Sequence, residues 1–151
     1  MTQVYLDLSR LIERLHRRFL DVLRAELKDL GIDDINAVQS LILANISGDE
    51  LTVRDLVDRG YYLGSNASYN IKKLVESGYL IQERSPHDRR SVRIKLSEKG
   101  LNLCSQIQER QNSHAAAMMN GHGNSNGLDA ACDTLRQLER AWSDYIHYRR
   151  A

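Results

Sequence analysis

The residues best suited to chemistry lie in the middle third of this 151-residue chain. Ser65, Asn66, Ser68, Tyr69, Lys72 and Lys73 place short polar and basic side chains at helical spacing, opposite an apolar set of Ala67, Ile71, Leu74 and Val75. Such a face matches base edges, which present hydrogen-bond donors and acceptors in the major groove of duplex DNA. Asn66, Ser68 and Tyr69 suit those edges. Lys72 and Lys73 suit phosphates, because an ammonium is a point charge and not a planar bidentate donor. A charged turn follows, carrying His87, Asp88, Arg89 and Arg90, with His87 expected as an exposed turn residue. The overall charge of +1 conceals an uneven distribution. Residues 51–100 hold 10 Lys/Arg against 6 Asp/Glu, whereas residues 1–50 hold 6 against 9 and residues 101–151 hold 5 against 5. A polar helix face alone is ordinary solvated surface; with a basic turn behind it, a polyanionic partner is the stronger reading.

The remaining reactive residues offer no competing chemistry. His114, His122 and Cys132 are irregularly spaced, so no metal is expected. Cys104 falls among Leu101, Leu103 and Ile107, and Cys132 shares a stripe with Leu128 and Leu135, which predicts packing for both. There is no glycine-rich phosphate loop, nucleophile elbow or set of paired carboxylates, so neither an enzyme nor a cofactor is expected. No apolar run approaches the ~20 residues that span a bilayer. Asp7, Arg10 and Glu13 interrupt the first apolar stretch, unlike a signal peptide. The expectation is a cytoplasmic protein with no membrane partner.

Those sites must be held by a series of helices and one hairpin. Val4, Leu8, Leu11, Leu15 and Val22, widened by Ile12, Phe19, Leu23, Leu27 and Leu30, predict one long helix stopped by Gly31. His16, on the stripe of Ile12, Phe19 and Leu23, is expected to be a half-buried core histidine. A terminal helix of such length tends to pack on a partner chain. A second helix is predicted from Ile35 to Ile46, capped by Asp33 or Asp34, with Val38, Leu41, Ile42 and Ile46 inward. Thr52, with Asp55 three residues on, opens a short third helix ending near Gly60. Ser65 caps the fourth, which Ser77 and Gly78 end. Residues 79–84 and 91–96 then change to the alternation of strands around the charged turn. A fifth helix starts at Ser97 and runs to Met118 or Met119, residues 120–127 look flexible, and a last amphipathic helix follows from Leu128. The fold expected is mainly α with a small β-hairpin wing (α+β). A winged helix-turn-helix core at residues 33–100 would be flanked by helical dimerisation regions at 1–31 and 101–151, within a single domain of residues 1–151.

The stretch from Leu51 to Gly100 resembles the MarR family of bacterial regulators. Asp88-Arg89-Arg90-Ser91 is similar to the family's Asp-x-Arg wing element, and Leu96-Ser97-Glu98-Lys99-Gly100 to its Leu-Thr/Ser-x-x-Gly helix start. Residues 76–80, Glu-Ser-Gly-Tyr-Leu, resemble the exit from its recognition helix. The chain departs at Gly60-Tyr61-Tyr62-Leu63-Gly64, where the family has Leu-Gly-Leu-Ser, and at Asn70, a position usually apolar. The resemblance implies that one wing arginine enters the minor groove while Asp88 holds a structural ion pair. It also implies a small-molecule effector where the first and fifth helices meet the reading core, near His16 and Phe19. The function so implied is a sequence-specific double-stranded DNA-binding transcriptional regulator. It would act as a homodimer on an inverted-repeat operator, as a repressor released by its effector. The alternative is a winged-helix adaptor that binds other proteins and not DNA; such an adaptor has no need of the basic middle third.

Overall fold

The protein is described by a computed structural model covering residues 1–46, 50–58, 64–88, 90–122 and 125–150. In chain order the elements are α1 (Thr2–Asp29), α2 (Ala37–Ile46), β1 (Leu51–Thr52), α3 (Val53–Asp58), α4 (Gly64–Glu76), β2 (Leu80–Arg84), β3 (Val92–Leu96), α5 (Glu98–His122) and α6 (Ser125–Arg150). The mainly helical α+β fold expected from the sequence is the fold observed.

Two of the helices end by the same device. Gly31 and Gly78 take left-handed φ values of 70° and 80°, which cost glycine nothing. At α1, Gly31 N–H donates to the Lys28 carbonyl and Ile32 N–H to that of Leu27. At α4, Gly78 N–H donates to Val75 and Tyr79 N–H to Leu74. Both are Schellman closures, satisfying carbonyls that the helix end would leave orphaned.

At α2 the expected start is corrected. The helix begins at Ala37 and is capped by Asn36, not by Asp33 or Asp34. Asn36 Oδ1 accepts the Gln39 N–H at 2.8 Å and Gln39 Oε1 accepts the Asn36 N–H at 3.0 Å, a reciprocal capping box. With that phase Ile42, Leu43 and Ile46 are buried, while Val38 and Leu41 are only half-buried. At α3 the expected box is present: Asp55 N–H donates to Thr52 Oγ1 at 3.0 Å, and Thr52 N–H to Asp55 Oδ2 at 2.8 Å.

The sheet is antiparallel, in the order β1-β3-β2. Its register sets Leu51 opposite Ile94, and Leu80 opposite Leu96. The third strand, β1, was not expected; two residues carry no period to read.

The chain divides into two units, Met1–Arg110 and Gln111–Ala151. The first holds a core of Leu23, Leu27, Ile42, Leu43, Ile46, Leu56, Ile71, Leu74, Leu80, Ile94, Leu96, Leu103 and Ile107. In the second, α5 continues through Asn120 to His122 and α6 starts at Ser125, so most of the stretch expected to be flexible is helical. Residues 123–124 lie outside the described residues. Three burial expectations are also corrected. His16 is exposed, Leu101 is 52% exposed, and Cys132 is exposed.

Candidate nucleic-acid interface

Helix α4 buries Ala67, Ile71 and Leu74, which leaves its opposite face to solvent. Asn66, Ser68, Tyr69, Lys72 and Lys73 are all exposed, Tyr69 at 61%. Lys73 is partly engaged, with its ammonium 3.3 Å from Glu76 Oε2 and 5.9 Å from the Tyr69 ring centroid. Lys72 makes no ion pair among the described residues. The Ser65 side chain and the whole of Arg89 lie outside the described residues.

The wing turn is built by Asp88 and Ser85. Asp88 Oδ1 accepts the Arg90 N–H at 2.9 Å, and the Asp88 carbonyl accepts the Ser91 N–H at 3.0 Å. Ser85 N–H closes the loop on the Ser91 carbonyl at 3.0 Å, and His87 N–H reaches Ser85 Oγ at 3.4 Å. Asp88 thus acts through an Asx-type turn. The ion pair implied for it is not found among the described residues. His87 and Arg90 are exposed on this turn.

Helix and wing share one open cleft of about 840 Å³. Ser68 and Lys72 line it from α4, Arg90 and Asp88 from the wing, and Arg54 from α3. Arg54 was missed in the sequence; it is 89% exposed and held only loosely, 3.7 Å from Asp58. Its one sequence signal was its place in the first turn after Thr52. On β3, by contrast, the cations are paired: Arg93 with Glu50 at 3.4 Å and Lys95 with Glu83 at 3.1 Å. In the cleft, Lys72 and Arg90 make no ion pair among the described residues.

The exit from α4 is locked to the start of α5. Ser97 N–H donates to the Tyr79 carbonyl at 3.0 Å, and Ser97 Oγ donates to the Gly78 carbonyl at 2.5 Å while accepting the Gly100 N–H at 3.1 Å. Tyr79 is buried and its hydroxyl donates to Asp34 Oδ1 at 2.8 Å. Lys99 Nζ sits 3.0 Å from Asp34 Oδ2, 2.8 Å from the Ser77 carbonyl and 4.2 Å from the Tyr79 ring centroid. Burial opposes ionisation of Asp34, but hydrogen bonds from Lys99 and Tyr79 outweigh it and hold the carboxyl below its ordinary pKa. Burial first, and the Asp34 carboxylate second, push the Tyr79 phenol well above its ordinary value. This is why Asp34 is not available to cap α2.

His16 and Phe19 are both exposed on α1 and neither lines the cleft. Cys104 is half-buried, and burial pushes its thiol pKa up. Among the described residues no group of three or more His, Cys, Asp or Glu is placed to hold a metal. Nor, among them, is any helix long and apolar enough to cross a membrane.

The MarR family sequence profile matches residues 33–91. The chain is 41% identical over 144 residues to the exopolysaccharide II synthesis transcriptional activator ExpG of Rhizobium meliloti (strain 1021), covering 95% of this chain and 74% of the relative. Among solved structures it is similar to a MarR transcriptional regulator from Methanosarcina mazei Go1, at 20% identity and a TM-score of 0.74, covering 90% of this chain and 96% of that one. It is also similar to Streptococcus pneumoniae FabT in complex with DNA, at 17% identity and a TM-score of 0.75, covering 93% of this chain and 98% of that one.

Proposed function

The chain belongs to the MarR family of transcriptional regulators, and from that premise we propose that it binds duplex DNA as a homodimer on an inverted repeat. The observation that carries this reading is the cleft joining Ser68 and Lys72 of α4 to Arg90 of the wing and Arg54 of α3. In this reading α4 enters the major groove, with Ser65, Asn66, Ser68 and Tyr69 toward base edges. Lys72, Lys73 and Arg54 meet phosphates, which position without specifying. A wing arginine, Arg89 or Arg90, enters the minor groove, where negative potential concentrates, with His87 at its flank. The structurally similar FabT was solved in complex with DNA, which supports the same partner here.

An effector is proposed on the face of α1 that carries His16 and Phe19, which a second copy would cover. The direction of control is proposed from the relative's name. At 41% identity to an activator, activation is favoured over the repression expected from sequence. Selection of bound duplexes from a random library tests the reading. An inverted repeat with half-sites about one helical turn apart, roughly 34 Å, is expected. Arg90→Ala should weaken retention of that repeat. A parent chain that enriches no duplex overturns the reading and raises that of a protein-binding adaptor.

A further inference from the structure

Between the buried Ala67, Ile71 and Leu74, Asn70 turns its amide toward α2. Asn70 Oδ1 accepts a hydrogen bond from Gln39 Nε2 at 3.2 Å, and Asn70 Nδ2 donates to the Asn66 carbonyl at 2.9 Å. Gln39 is only 7% exposed, and its Oε1 is already committed to the Asn36 N–H at 3.0 Å. The chain of bonds therefore runs from a main-chain donor at Asn36 to a main-chain acceptor at Asn66. Neither end can reverse, so each amide has a single orientation that satisfies its neighbours. One buried side chain, Gln39, closes the cap of α2 and, through Asn70, is linked to the first turn of α4.

We propose that the Gln39–Asn70 pair is a specificity-setting positioning device that fixes the rotation of α4 about its own axis. It rests on the reading of α4 as the DNA-reading helix. Apolar contacts are non-directional and tolerate small rotations of a helix. A hydrogen bond does not, since it weakens steeply away from linearity. A rotation of about 20° in a helix of roughly 5–6 Å radius moves its surface by about 2 Å, enough to break contacts to base edges. The grip is applied at the carbonyl of Asn66, whose side chain is one of those presented to the bases. The pair touches no DNA and acts only through the angle at which Asn66, Ser68 and Tyr69 arrive.

Gln39→Glu isolates this role in the full-length chain. A carboxylate still accepts the Asn36 N–H, so the cap survives, but it has no proton to donate to Asn70 Oδ1. Turning the Asn70 amide over would let its Nδ2 donate to that carboxylate but set its oxygen against the Asn66 carbonyl. The chain of bonds from Asn36 to Asn66 is thus broken in either orientation. Asn70→Leu breaks the link from the other side and serves where Gln39→Glu fails to fold. The readout is affinity for the duplex selected by the parent divided by affinity for a scrambled duplex of equal length, at one salt concentration, beside a thermal melt. Each single variant is expected to lose about tenfold in that ratio, comparable to one good base contact. The double variant should lose no more than either, because both remove one link. Affinity for the scrambled duplex should stay within about twofold, since phosphate contacts are untouched. A folded variant that keeps the parent's ratio overturns the proposal, as does a proportional loss on both duplexes. A parent that binds no duplex at all overturns the DNA reading itself, and the two failures are thus distinct.

Discussion

A β-carbon added at Gly100 would collide with the Tyr79 carbonyl and lie 3.2 Å from Leu96 Cδ2. Neither neighbour can yield, because the Tyr79 carbonyl already receives Ser97 N–H and Leu96 is buried. Gly100→Ala should therefore cost on the order of 1–3 kcal/mol, as overpacking does, and lower the midpoint of urea unfolding without changing its slope. The pH dependence of the same corner follows from Asp34 and Tyr79. A carboxyl whose folded pKa is depressed contributes stability above its unfolded pKa, and loses it as pH falls through the folded value. A phenol whose folded pKa is raised contributes below its unfolded pKa and loses it as pH rises. The corner is therefore most stable between about pH 4 and pH 10. Asp34→Asn should flatten the acid limb of a stability–pH profile. Its cost at neutral pH should be no more than about 1 kcal/mol, because the Lys99–Asp34 pair is partly exposed. An unchanged acid limb would mean that the cluster does not shape stability. The motif Leu96-Ser-Glu-Lys-Gly100 was legible as a helix start. Its reason was not, because the Tyr79 carbonyl that forbids a side chain at Gly100 is brought there only by the fold.

Elements were legible in proportion to their local signals. Gly31 and Gly78 announced the helix ends, and alternation announced the hairpin. Asn36-Ala-Val-Gln39 also carries a capping-box spacing, but two aspartates ahead of it offered rival caps until Asp34 was drawn to Tyr79 and Lys99. The helical 120–122 segment defied its composition, since a glycine such as Gly121 costs a helix only about 1 kcal/mol relative to alanine. The wing turn yields a prediction that separates two roles for Asp88. If its task is to accept the Arg90 N–H, Asp88→Asn keeps the acceptor and should bind the selected duplex about as well as the parent, while Asp88→Ala should bind more weakly by about 1 kcal/mol. If a salt bridge were its task, both substitutions would weaken binding alike. Gel-shift titration of the three proteins decides it. The cleft as a whole predicts a salt signature. Lys72→Ala and Arg54→Ala should each reduce the slope of log affinity against log salt by about one unit, and equally on selected and scrambled duplexes. An unaltered slope for both would place the phosphates elsewhere.

At the scale of the molecule, the long helices are out of proportion to the core they serve. Of the 28 residues of α1, only Leu23, Glu26 and Leu27 are buried, all in its last two turns. Upstream, Val4, Leu11, Leu15 and Phe19 stay exposed on a continuous stripe. In the second unit, α6 likewise exposes Leu128, Leu135, Tyr145 and Ile146. Scattered exposed leucines are normal, but stripes of this length mark surfaces that a partner covers. On the proposed inverted repeat, a second copy would be that partner, since two reading helices would have to be held one turn of duplex apart. His16 and Cys132 fit the same account: His16 was expected to be half-buried and Cys132 to be packed, and both are exposed on stripes that a single chain leaves open. Light scattering on the full chain should return twice 17.3 kDa at micromolar concentration. Leu15→Asp and Leu135→Asp place a carboxylate on each stripe without touching the buried core, so the reading unit should stay folded while the mass halves. Affinity for the inverted repeat should then fall toward that for a single half-site, and the salt slope should drop by about half, because phosphate contacts double with the second copy. A full-length chain that is monomeric, or one that keeps its dimeric mass in both aspartate variants, would show that these helices serve some other contact.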